Sequence, residues 1–148
     1  MFDTKKDMSY NKFTSDAIEL TVDSRIINTI IFAGGMFNSY LKRELSNGNN
    51  SCLRDDIKRI ENVLRELVKL KNGIDVEANL NMNITIAEFL ILKYGLDSVA
   101  RLVVSLELED SRTISYYDFL IYLDEKYNSL ETKEIEVYYE FLAEHDVQ

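Results

Sequence analysis

Ser98 is the one serine of this 148-residue chain set in a chemically suggestive stretch, YGLDSVARLVVSLE. A serine hydroxyl there either accepts backbone N–H bonds as a helix cap or presents itself for covalent modification. Cys52, the only cysteine, lies near an expected helix start, a position that lowers a thiol pKa. Nothing else around it marks it as a nucleophile. His145, the only histidine, stands in the stretch EFLAEHDVQ, apart in sequence from Cys52 and from the serines. Nucleophile, base and orienting acid therefore have no spacing that proposes a triad. The expectation is a non-enzymatic chain that holds no cofactor and no metal.

Oxygen ligands for a metal would have to come from ELED at 107–110 or from DEKYNSLE at 124–131. The second run lacks the glycine and the ligand order of a calcium loop, and both fit solvated helix faces. Ala33-Gly34-Gly35 belongs to no GxGxxG or GxxxxGK pattern, so no phosphate loop is expected. Two short helices meeting at a glycine within residues 85–103 have the outline of a helix-turn-helix, yet Arg101 is the single base of the second. One cation is too little to hold a phosphate backbone.

Helices must position these residues. Residues 1–16 are polar and aperiodic and are read as a loose N-terminal arm. In AIELTV at 17–22, Ile18, Leu20 and Val22 alternate with Glu19 and Thr21, which suits a short strand. From Ser24, read as an N-cap, Ile26, Ile27, Ile30, Ile31, Phe37, Leu41 and Leu45 recur at helical spacing until Asn47-Gly48. Gly34 and Gly35 cost this helix roughly 2 kcal/mol relative to alanine. Close helix packing, a kink or a ligand against the bare backbone would offset that cost.

Ile57, Ile60, Val63, Leu64, Leu67 and Leu70 form the apolar stripe of a second helix, ended by Asn72-Gly73. Residues 74–83 are a polar connector with some extended character. Thr85 and Glu88 have the spacing of a capping box. The helix they open is apolar nearly all round, hence central and buried, and Gly95 closes it. Further helices are expected over 98–108, 115–127 and 129–144. The expected fold class is all-α: a single domain over 1–148, a bundle of about six helices with at most a short N-terminal strand or strand pair.

Phe89, Tyr94, Gly95, Leu96, Asp97, Ser98 and Val99, followed by apolar Leu102, Leu106 and Leu108, resemble the prosthetic-group site of acyl and peptidyl carrier proteins. In that family the attachment serine sits in a (G)xDS(L/V) turn at the start of the second helix. The amphipathic helix carrying Ile57 and Leu70 lies where a carrier's first helix would, so the resemblance covers about a third of the chain. It implies phosphopantetheine on Ser98, with Asp97 and the helix behind it meeting the modifying enzyme. A divergent carrier is therefore the alternative function.

Charge carries the leading expectation. With 17 bases against 26 acids and a net charge of −9, direct binding to nucleic acid is disfavoured and a basic protein partner is favoured. Residues 107–148 hold 12 acids and 3 bases, a net of −9, whereas residues 42–71 hold 8 bases and 5 acids, a net of +3. Glu131, Glu134, Glu136, Glu140 and Glu144 stand among Tyr138 and Tyr139, with Tyr116, Tyr117, Tyr122 and Tyr127 shortly before them. Aromatic anchors ringed by carboxylates suit a docking surface for a basic protein. The chain is accordingly expected to be an acidic interaction module, a viral or mobile-element regulator or inhibitor that docks on a basic protein surface. Absent proline and abundant Asn, Ile, Lys and Tyr fit an AT-rich genome. The lone cysteine fits a reducing cytoplasm. MFDTKKDMSYNKF lacks the apolar core of a signal peptide, and no apolar run reaches the roughly 20 residues of a membrane span. Homo-oligomerisation is left open.

Overall fold

The computed structural model describes residues 17–48, 53–73, 79–106 and 110–130. Their elements follow in the order β1 (Ala17–Asp23), α1 (Ile27–Ser46), α2 (Leu53–Asn72), β2 (Asn79–Thr85), α3 (Ile86–Ser98), α4 (Ala100–Ser105) and α5 (Asp110–Asn128). Helices dominate, as periodicity predicts, but two corrections apply. Among the described residues there are five helices rather than about six, and β1 has a partner strand distant in sequence. The arm over 1–16, Cys52, His145 and all but the first two residues of the expected helix over 129–144 lie outside the described residues.

The two strands pair antiparallel, from Ala17 opposite Thr85 to Asp23 opposite Asn79. Their register follows from matched alternation. Ile18, Leu20 and Val22 face Ile84, Met82 and Leu80 across the pair, and all six side chains are buried. A slip of one residue would turn one strand's apolar set to water. On the outer face Thr21 Oγ1 donates to Asn81 Oδ1 at 3.0 Å.

A tight turn leads from β1 into α1. Asp23 accepts the Arg25 backbone N–H at 2.8 Å and pairs with its guanidinium, which holds the Asp23 carboxyl below its ordinary pKa. Ser24 is not the cap; Ile26 occupies that position and contributes no side-chain bond. Helix α2 lies antiparallel against α1, since Gly34 faces Leu64 while Lys42, further along α1, pairs with Glu61 at 3.0 Å. A methyl group on Gly34 would stand 2.8 Å from Leu64 Cδ2. Close helix packing is thus what the first of the paired glycines serves.

At the end of β2 the expected capping box is present. Thr85 Oγ1 accepts the Glu88 N–H at 3.0 Å and Glu88 Oε1 accepts the Thr85 N–H at 2.9 Å. These bonds satisfy two N–H groups that a helix start leaves without partners. Helix α3 is the central element, with Ile86, Phe89, Leu90, Ile91, Leu92 and Leu96 all buried.

Gly95 does not end α3. A Cβ there would drive into the Phe37 ring, with Phe37 Cγ at 2.8 Å, so glycine serves a close approach within the helix. The chain leaves α3 only after Ser98, and the short α4 then starts with Val99 in the cap position and no side-chain cap.

Candidate functional site

Helix α5 carries the acidic residues that the structure describes, and its two faces differ sharply. Tyr116, Phe119, Leu120 and Leu123 are buried against the core. Tyr117, Asp118, Ile121, Asp124, Glu125 and Asn128 lie on the exposed side. Positions 117, 121, 124, 125 and 128 recur at three and four residues and share one face of the helix. At its centre Tyr117 and Ile121 are 46% and 55% exposed, unusual for side chains of that size. Carboxylates of Asp118, Asp124 and Glu125 surround them. Those of Asp118 and Glu125 have no cation partner among the described residues. An apolar centre with a charged rim is the layout of a protein-docking patch.

The tyrosines that precede residue 131 divide by role. Tyr116 is fully buried, and its hydroxyl donates to the Leu96 carbonyl at 2.6 Å. That carbonyl lies in the last turn of α3, where the helix itself supplies no donor. Burial pushes the Tyr116 pKa up. Tyr122 lends its hydroxyl oxygen to the Thr21 N–H at 2.9 Å, covering an open edge group of β1. Tyr127 lies beneath the Lys93 ammonium, 5.3 Å from ring centre to nitrogen. Among these four, then, Tyr117 alone is a surface anchor, while Tyr116, Tyr122 and Tyr127 attach α5 to the body.

Lys93 completes that attachment. Its side chain is 18% exposed and bonds Asp124 at 3.0 Å and Asp97 at 3.1 Å. Burial works against its charge, but the bonds to Asp124 and Asp97 outweigh burial and raise its pKa above 10.5. A raised folded-state pKa stabilises the fold fully below the unfolded value and loses that contribution as pH rises through the folded value. Urea unfolding of native protein and Lys93→Met should therefore show a stability difference that shrinks on raising the pH through and above 10.5. Tyr116 pulls in the same alkaline direction, so the difference between the two chains, rather than either curve alone, isolates Lys93.

Ser98 sits elsewhere, on the rim of a half-open groove of about 600 Å³ between α1 and the junction of α3 with α4. It is exposed, and its hydroxyl donates to the Tyr94 carbonyl at 2.7 Å. It therefore closes a helix, whereas both the cap expectation and the carrier resemblance put it at a helix start. Asp97 binds Lys93 instead of capping α4.

The acidic residues first singled out as the interaction surface, Glu131, Glu134, Glu136, Tyr138, Tyr139, Glu140 and Glu144, lie outside the described residues. The Tyr117–Ile121 pair just before them was missed, although its spacing of four beside Asp118 and Glu125 was present in sequence. No group of three or more His, Cys, Asp and Glu side chains positioned to hold a metal occurs among the described residues, and no described helix is long and apolar enough to cross a membrane. No protein-family model matches the chain, and neither the curated proteins nor the solved structures yield a match.

Proposed function

We propose that the chain is a non-enzymatic interaction module, a regulator or inhibitor that docks its acidic face on a basic surface of another protein. The observation that carries this reading is the exposed Tyr117–Ile121 pair on α5 with the carboxylates of Asp118, Asp124 and Glu125 around it. The acidic run continues in sequence through Glu131, Glu134, Glu136, Glu140 and Glu144. Such a face divides the work of binding. Aromatic and aliphatic anchors supply most of the affinity once buried, and rim carboxylates steer encounter and select against acidic partners.

Partner capture on the immobilised intact chain, followed by titration with the purified partner, tests the proposal. A basic protein should bind, and added salt should weaken it by screening the carboxylates. Tyr117→Ala with Ile121→Ser should raise its Kd about tenfold or more, the loss expected for central anchors. Neutralising Glu131, Glu134, Glu136, Glu140 and Glu144 to glutamine should slow association. A partner whose binding ignores salt and all of these changes would remove the electrostatic basis of the proposal.

A further inference from the structure

Away from α5, the groove beside Ser98 has the shape and chemistry of a second docking surface. One wall is a ladder on α1 at a spacing of four, Met36 and Tyr40, with Phe32 one turn earlier. The opposite wall repeats that spacing across the end of α3 into α4, through Tyr94, Ser98 and Leu102. Tyr40, Tyr94 and Leu102 are 51%, 48% and 50% exposed, and Phe37, packed edge-on against Tyr94, contributes to the lining. Arg43 is the only charged side chain lining the groove among the described residues, and it makes no ion pair among them.

These features select the kind of occupant. A small molecule is normally enclosed over most of its surface, and walls exposed by half leave it wet. A phosphate backbone needs more than one cation. A symmetric contact with a second copy would set one arginine-bearing groove against another and offer Arg43 no carboxylate. Two apolar ladders at helical spacing instead match the side chains of a helix laid between them. We infer that the groove receives an amphipathic helix of a partner protein, with apolar side chains at i, i+4 and i+7 and a carboxylate placed at Arg43. The inference goes beyond docking through the acidic face and is independent of it, because the two surfaces carry opposite charge.

A displayed library of helical peptides, panned against the intact chain, tests this directly. Enriched peptides should carry the apolar spacing together with Asp or Glu. Leu102→Asp should raise their Kd about tenfold or more, as loss of a central apolar contact does. Arg43→Glu should turn the preference toward Lys and Arg. Both replaced side chains are exposed, and matching unfolding midpoints would verify that the variants fold. Failure to enrich any peptide, enrichment of basic peptides by the native chain, or binding indifferent to both substitutions would overturn the inference. A dimer in sedimentation that Leu102→Asp dissolves would overturn it too, by assigning the groove to a second copy. Peptide binding lost with Asp118→Lys and Glu125→Lys but kept with Leu102→Asp would assign it to α5 instead.

Discussion

Replacing Gly95 with valine is expected to destabilise the fold by about 3 kcal/mol, the upper end of what forcing extra carbon into a packed core costs. The Phe37 ring occupies the space a Cβ would take, with Cγ at 2.8 Å. That ring is itself 2% exposed and packs edge-on against Tyr94, so it has little room to turn aside. Gly95→Ala adds less bulk and regains about 1 kcal/mol of helix propensity, so its loss should be smaller. Gly34→Ala provides the contrast. There the obstructing atom is Leu64 Cδ2, the far end of a flexible side chain that is only partly buried. Gly34→Ala should accordingly be neutral or mildly stabilising. Denaturant unfolding of the three variants decides the matter, and a Gly95→Ala chain as stable as Gly34→Ala would contradict the packing described.

Tyr116→Ala should cost about 3–5 kcal/mol, the range for emptying a buried aromatic site. Its ring is fully buried between α5 and α3, and its hydroxyl satisfies the Leu96 carbonyl. Tyr116→Phe separates the two contributions. It keeps the ring and leaves that carbonyl without its donor, which should cost about 1–2 kcal/mol. The same substitution tests how firmly α5 holds its exposed face in place. Because Tyr116 precedes Tyr117 directly, loosening it should weaken partner binding even though it contributes no surface to the docking face. Unfolding curves and partner titration on both variants measure these effects. A Phe variant as stable as the native chain would show that water replaces the lost donor without cost.

Much of this architecture is legible locally. The alternation in AIELTV specifies β1, the stripe from Ile57 to Leu70 specifies α2, and Thr85 with Glu88 marks the start of α3. In each case the signal and the structure it produces occupy the same dozen residues. Gly95 and Ser98 misled for the opposite reason. Gly-Leu-Asp-Ser has the chemistry of a stop followed by a start, yet the glycine answers to Phe37 on another helix, and the serine bonds back to Tyr94. Strand β2 was hidden by its asparagines. Leu80, Met82 and Ile84 alternate as cleanly as the residues of β1, but polar neighbours on the solvent face made the stretch read as a connector. For the docking face, composition located the acidic part of the chain. Only tertiary packing separates Tyr117, which faces water, from Tyr116, Tyr122 and Tyr127, whose rings and hydroxyls hold α5 to the core.

Docking through the acidic face is tested most directly by one titration. The purified basic partner is titrated against the intact chain and against a double charge swap, Asp118→Lys with Glu125→Lys, at low and at high salt. Both side chains are exposed, and neither pairs with a cation among the described residues, so the swap changes charge without disturbing the core. The account predicts a Kd raised about tenfold in the swapped chain at low salt, with the gap narrowing as salt screens the rim. Equal affinity of the two chains at both salt concentrations would contradict it.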